Sequence, residues 1–293
     1  MSTTVYLNGT FLPVEEACIP VTDRGFLFGD GVYEVIPAYG GRLFRLPHHL
    51  QRLQKSLDGI RLENPLSEND WAGILTELLQ RTQAQAGPDN DQSVYLQVTR
   101  GVAARRDHAF PEPVKPTVYA TSNPIAIPDR KLLDQGLAAI TLEDIRWQYC
   151  NIKSITLLPN VLLRQQAIDA DSAEAILIRN NLVIEGSASN VFVVCNGEIR
   201  TPPKGSYMLP GITRDLVLEL AIENAIPCRE TDIDKEQLCS ADEIWLTSST
   251  REIMPVTVLD GQLVGDGRPG AVWQNMIQHY RDYKNTVRSG KTS

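Results

Sequence analysis

The chain has 293 residues, enough for two modest domains or one large one. With 42% hydrophobic and 22% charged residues it has the composition of a soluble globular protein, and no apolar run approaches the roughly 20 residues that span a bilayer. A net charge of -8 argues against nucleic-acid and anionic-membrane partners, both of which need clustered positive charge.

Met1 to Leu7 is polar and passes straight into strand-like sequence; no signal or transit peptide is visible, and a cytoplasmic protein is expected. Val5-Tyr6-Leu7 and Thr10-Phe11-Leu12 flank Asn8-Gly9, a hairpin signature. Tyr33 to Ile36 and Arg42 to Arg45 flank Gly40-Gly41 and predict a second hairpin. Leu46, Leu50, Leu53, Leu57 and Ile60 then recur at helical spacing, with Pro47 in the first turn. Ser67 and Asp70 resemble a capping box for a second helix carrying Trp71, Leu75, Leu78 and Leu79. Val94, Leu96 and Val98 alternate with polar residues as a strand does; 101–116 is a loop rich in charge and proline, and Thr117 to Thr121 resumes a strand.

The stretch from Ser122 contains Pro124 and Pro128 and shows no periodicity, so it is expected to be a linker. That predicts a small N-terminal α/β domain over 1–121, a linker over 122–131 and a larger domain over 132–293. In the second part, Asn180-Asn181 and Asn196-Gly197 separate apolar strand-like runs. One helix is expected from near Pro159 through Gln166, and another from near Thr213 with Leu216, Val217, Leu220 and Ala221. The tail after Trp273 reads as helix, fraying over 285–293 into a polar, disordered end.

Cys18, Cys150, Cys195, Cys228 and Cys239 are scattered and odd in number, which predicts free thiols in a reducing compartment. His48, His49, His108 and His279 show no ligand spacing, and no metal is expected.

Lys153 follows the stretch Asp144 to Ile152, and Glu185 follows about thirty residues later. A lysine so placed can form a Schiff base with an aldehyde cofactor, and a carboxylate can hold a pyridinium nitrogen. A solvated strand-end lysine and a hairpin glutamate fit the same spacing. Leu209-Pro210-Gly211-Ile212-Thr213-Arg214-Asp215 opens a helix whose first N–H groups suit a phosphate; a plain N-cap is the alternative. Thr247-Ser248-Ser249-Thr250, after the strand Ile244-Trp245-Leu246, can complete a phosphate cup or simply begin a loop. Arg52 lies beside the stripe residue Leu53, either reaching a phosphate or solvated at the helix edge. Arg106 and His108, with Tyr33 as a third donor, can bind a carboxylate; a polar loop and a core aromatic are the alternatives.

Together these segments resemble the fold-type IV pyridoxal phosphate enzymes, the class-IV aminotransferases, and within them the D-amino-acid group. The likeness runs from Val5 to about Trp273 and is carried by Asp23 to Glu34, His49 to Leu53, Val98 to Gly101, Asp144 to Leu158, Glu185 to Phe192, Gly211 to Arg214 and Thr247 to Pro255. The resemblance implies a two-domain α/β (α+β) fold with a β-barrel-like larger domain, and pyridoxal 5'-phosphate as cofactor. It implies that Lys153 carries the cofactor as an internal aldimine and acts as the catalytic base, and that Glu185 pairs with the pyridine nitrogen. Arg52, Ile212, Thr213, Ser248 and Ser249 match the phosphate cup, Leu209 the residue on one ring face, and Ser187 the cofactor's surroundings. Tyr33, Arg106 and His108 match the α-carboxylate trap, the last two reaching from the partner subunit of a homodimer.

The expected reaction is ping-pong transamination between a D-amino acid such as D-alanine and a 2-oxo acid such as 2-oxoglutarate. A branched-chain L-aminotransferase, an R-selective amine transaminase and aminodeoxychorismate lyase are the alternatives in the family. The loop at 101–108 is one residue longer than in such relatives, so Arg105 competes with Arg106 for the carboxylate. Ala188 stands where a serine is common, and Phe26 where a tyrosine is.

Overall fold

The computed structural model describes residues 3–85, 89–125 and 130–291. The chain forms two compact units. Unit 1 comprises Met1–Ala126, Ile152–Thr156 and Lys284–Ser293; unit 2 comprises Ile127–Asn151 and Leu157–Tyr283.

Unit 1 is a six-stranded antiparallel sheet with helices on one face. Its elements are β1 (Thr4–Leu7), β2 (Thr10–Pro13), α1 (Arg24–Phe28), β3 (Gly31–Tyr39), β4 (Arg42–Leu43), α2 (Leu46–Gly59), α3 (Glu68–Thr82), β5 (Gln92–Thr99) and β6 (Thr117–Pro124), in the sheet order β2-β1-β6-β5-β3-β4. Both expected hairpins form. Asn8 and Gly9 take φ of 48° and 99°, and Gly40 and Gly41 take 58° and 77°, the left-handed pair that a two-residue turn requires. The stripe of α2 (Leu50, Leu53, Leu57) and that of α3 (Trp71, Leu75, Leu78, Leu79) pack on Val32, Ile36, Val94, Leu96, Val98 and Ala120. The capping box of Ser67 and Asp70 is complete in both directions.

Unit 2 contains α4 (Arg130–Gln135), β7 (Leu137–Glu143), α5 (Leu158–Asp169), β8 (Glu174–Arg179), β9 (Leu182–Gly186), β10 (Asn190–Cys195), β11 (Glu198–Thr201), α6 (Ile212–Glu223), β12 (Cys228–Glu230), α7 (Lys235–Cys239), β13 (Glu243–Ser248), β14 (Glu252–Leu259), β15 (Gln262–Leu263) and α8 (Ala271–Arg288), which runs on into unit 1. Its nine-stranded sheet follows β12-β11-β10-β13-β14-β7-β8-β9, with β15 on β14. β9 ends the path, and β10 lies on the far side of β8, β7, β14 and β13, yet only residues 187–189 join the two in the chain. A link that short requires the sheet to curl until its edge returns near β10. The concave core holds Ile176, Val183, Val191, Val193, Ile244, Leu246 and Val256. Leu163 and Ala167 of α5 pack with Ala175 and Leu177 of β8 in a separate cluster. This is the mixed α/β architecture with a curled sheet that the resemblance implied.

Three sequence expectations need correction. The stretch expected as a linker over 122–131 begins inside β6, where Ser122 and Asn123 pair with Val94 and Ser93; 126–129 lie outside the described residues. The expected boundary also assigned Lys153 to the second domain, whereas 152–156 belong to unit 1 because they pair with β3. Tyr33 N donates to Lys153 O (3.0 Å), Ile155 N donates to Gly31 O (3.1 Å), and Val32 bridges Ser154. The tail does not fray at 285. α8 continues through Arg288, which ion-pairs with Asp91 at 2.5 Å, while Lys284 lies 5.0 Å from the Tyr39 ring centroid.

Candidate active site

In unit 1 the candidate residues project from β3, α2 and the 152–156 segment. Lys153 sits on a short stretch of backbone held from both sides, and is not at a strand end. Its carbonyl accepts from Tyr33, and its own N–H donates to Ser56 Oγ at 3.1 Å. The side chain is half-buried, with Nζ 4.2 Å from the Tyr33 ring centroid, a cation–π distance. Tyr33 in turn stacks on Tyr95 at 5.6 Å.

Glu34 points to the opposite face of β3, the core side it shares with Val32 and Ile36. Its carboxylate is fully buried and paired with α2: Arg52 Nε donates to Oε1 and Nη2 to Oε2, both at 2.7 Å, and His49 Nδ1 lies 2.8 Å from Oε2. A buried carboxylate survives only with such partners. Burial alone would raise the Glu34 carboxyl, but the Arg52 guanidinium and the His49 hydrogen bond outweigh it and hold it far below the usual carboxylate range. Burial pushes His49 down, against the pull of Glu34. Arg52 is therefore not a solvated helix-edge arginine.

In unit 2, Glu185 is buried near the end of β9. Oε2 accepts from Leu209 N and Asn190 Nδ2, each at 3.1 Å, and Oε1 pairs closely with Arg146 Nη1. Arg146 is itself clamped by Asp144, from Nε at 2.9 Å and Nη2 at 3.1 Å. Burial pushes the Glu185 carboxyl up to about 7, against the pull of Arg146. Asn190 Nδ2 also donates to Leu209 O at 2.9 Å, so one side chain ties together the carboxylate and the segment leading into α6.

Gly211 is the N-cap of α6 and offers no capping side chain. A Cβ there would fall 2.0 Å from Asn190 Oδ1, so only glycine lets the helix start approach so closely. Ile212 and Thr213 are the first residues of α6, and both are buried. Ser248 ends β13 and Ser249 follows it, both half-buried, and beside them Thr247 Oγ1 is buried with no hydrogen-bond partner among the described residues. An uncapped helix start of this length and an orphaned hydroxyl suit an anion. Ser187 donates to Glu174, which also accepts from Ser189 Oγ at 3.2 Å; Ala188 between them is exposed.

Arg106 and His108 lie on an exposed loop of unit 1, both against Phe28 of α1. Arg106 Cζ is 4.9 Å from that ring's centroid, and the His108 ring meets it edge-on at 5.4 Å. Arg105, exposed like Arg106, has no such seat. Among the described residues no group of three or more His, Cys, Asp and Glu side chains could hold a metal, and no helix is long and apolar enough to cross a membrane.

Unit 1 thus brings Lys153 beside Tyr33 and ties its backbone to α2, the helix that carries Arg52; unit 2 brings together Glu185 and Leu209. Glu34, His49, Arg146, Asp144 and Asn190 were not given a role in the site from the sequence. Glu34 had a readable signal, a charge on the parity of Val32 and Ile36; His49 and Arg52 are three apart beside the α2 stripe.

Residues 31–259 match the model of the amino-transferase class IV family. D-alanine aminotransferase of Bacillus licheniformis is 43% identical over 272 residues, covering 93% of this chain and 94% of that protein. D-alanine aminotransferase of a Staphylococcus epidermidis strain is 39% identical, over 96% and 98%. Among solved structures, Escherichia coli branched-chain amino acid aminotransferase superposes with a TM-score of 0.88 at 26% identity, covering 96% of this chain and 94% of that one. The chain belongs to the class IV aminotransferases.

Proposed function

We propose that this aminotransferase transfers the amino group of a D-amino acid, D-alanine foremost, to a 2-oxo acid such as 2-oxoglutarate, using pyridoxal 5'-phosphate. The observation that carries the reading is the seat of Lys153: a half-buried amine over the Tyr33 ring, on backbone fixed to β3 on one side and to Ser56 of α2 on the other. The 37–43% identity to D-alanine aminotransferases over nearly the whole chain supports the choice of donor. A second solved branched-chain amino acid aminotransferase, 25% identical to this chain, holds pyridoxamine 5'-phosphate, which supports the cofactor.

When bound, the cofactor supplies an electron sink for the bond broken at the substrate Cα. Lys153 would hold the cofactor through its amine and would serve as the base that takes the proton from the substrate Cα; a half-buried lysine suits both tasks. Glu185, as a carboxylate, would accept from the ring nitrogen and keep a proton on it. The α6 start at Ile212 and Thr213, the hydroxyls of Ser248 and Ser249, and Arg52 bind the phosphate, with Thr247 an added donor. Leu209 would pack against the cofactor ring, and Ser187, which donates to Glu174, supports the loop beside Glu185.

Tyr33, Arg106 and His108 receive the α-carboxylate. Exposure of the latter two suits donors that serve a second copy of the chain, so the working enzyme is a homodimer. The phosphorylated cofactor and the amino-acid substrates fit a cytoplasmic enzyme.

The test is a single-turnover spectrum of the yellow protein with D-alanine and, separately, with L-leucine. Conversion to the pyridoxamine form with D-alanine alone supports the reading. Conversion with L-leucine alone moves the chain to the branched-chain group and withdraws the roles of Arg106 and His108.

A further inference from the structure

Arg24 opens α1 with its guanidinium buried, and its fork is directed at the loop that carries Arg106 and His108. Nη1 donates to Asp107 O at 2.5 Å and to Ala109 O at 3.2 Å; Nη2 donates to His108 O at 3.3 Å. Nε is held by Asp30 Oδ2 at 2.8 Å, and the backbone N–H of Arg24 donates to Gly101 O at 2.8 Å. One side chain therefore satisfies the carbonyls of three successive residues in an exposed loop. The planar guanidinium fixes the directions of those bonds in a way a lysine cannot.

Phe28, one helical turn on, completes the device. The Arg24 Cζ lies 4.8 Å from its centroid, the Arg106 Cζ 4.9 Å, and the His108 ring meets its edge. The two loop side chains thus rest on one residue of α1 while their backbone hangs from another. Farther along, Arg100 shares Asp30 Oδ2 at 2.8 Å and stacks 3.7 Å from the Phe110 centroid, pinning the loop beyond His108.

We propose that Arg24, with Phe28, is the positioning device for carboxylate recognition. It holds the 107–109 backbone so that Arg106 and His108 stand side by side as a preformed pair of donors. This rests on the reading of those two residues as the carboxylate trap. An arginine that merely ties down a loop would affect stability and every donor alike; a positioning arginine affects donors that carry a carboxylate.

The experiment uses the holoenzyme and follows the loss of cofactor absorbance in the first half-reaction, with D-alanine and with D-alaninamide, which lacks the carboxylate. Arg24→Lys keeps a cation for Asp30 and loses the fork. The apparent KM for D-alanine should rise about ten- to a hundredfold, while that for D-alaninamide stays within about twofold. Phe28→Leu removes the seat but leaves the fork, should show the same selectivity, and carries the test if the lysine variant does not fold. Equal shifts for both donors, or none, in the folded variants would overturn the proposal. Arg106→Ala separates the two layers. If it spares D-alanine, the carboxylate reading fails and the proposal with it; if it shows the selective loss and the α1 variants do not, only the positioning role fails.

Discussion

Lys153 and Glu185 differ in how their surroundings tune them. Lys153 is fixed through its backbone, so replacing the side chain should leave the scaffold intact. Lys153→Ala is expected to retain cofactor non-covalently and to lose transamination; borohydride reduction followed by mass measurement should find no cofactor attached, and near-normal turnover would remove the lysine from its role. Glu185 is tuned by burial, which lifts it from 4.5 to about 7. A raised carboxyl favours the folded state fully below its unfolded value and loses that contribution as pH rises through about 7. Glu185→Gln, unable to ionise, should therefore gain stability relative to the parent as pH rises from about 5 to about 8, measured by urea midpoints on cofactor-free protein; a gap independent of pH would show that Glu185 is not raised. In the carboxylate loop, Arg106→Ala should raise the KM for D-alanine by about tenfold or more, and Arg105→Ala by much less, because only Arg106 is seated on Phe28; the reverse order in steady-state kinetics would assign the contact to Arg105.

At the scale of elements, β3 uses both of its faces: Tyr33 turns toward the lysine amine, and Glu34 turns inward to clamp Arg52 and His49 of α2. Glu34→Gln breaks a buried pair and leaves Arg52 under-compensated, at a cost of about 3–5 kcal/mol. Since the folded Glu34 carboxyl is depressed, that stabilisation is present above its ordinary 4.5 and is lost as pH falls below it. The gap between parent and variant in urea titrations should be widest near neutral pH and narrow in acid; a constant gap would contradict the ion pair. The local grammar of these elements was open to sequence reading. Asn8-Gly9, Asn180-Asn181 and Asn196-Gly197 named their own turns, the α2 stripe gave its buried face, and motif order picked out Lys153, Glu185 and Thr213 as candidates. What stayed hidden were pairings between distant positions. Arg146 meets Glu185 across 39 residues, and Arg24 reaches His108 across 84. Periodicity describes one element at a time and says nothing about which buried charge will answer another. The linker expected at 122–131 started too early for a related reason: Pro124 can end a strand as easily as interrupt the chain, and only pairing with β5 decides between them.

For the whole molecule, the proposed homodimer, with its 101–116 loops serving the partner's site, makes a strong prediction. Lys153→Ala and Arg106→Ala chains should each be impaired alone, yet refolding them together should restore D-alanine turnover, since one of the two sites in a mixed dimer then has both residues intact. No recovery would place Arg106 in its own chain's site. The path of the chain carries a further consequence. Unit 1 is assembled from three separate stretches, and the five residues holding Lys153 are inserted from between two parts of unit 2. On a ribosome the sheet of unit 1, with its Tyr33 ring and buried Glu34 clamp, is synthesised well before residue 153 emerges. The Lys153 amine is therefore a late arrival that docks onto a strand made earlier, and the end of α8 reaches Tyr39 and Asp91 only when synthesis is almost complete. Neither unit can be cut out of the gene as one uninterrupted piece.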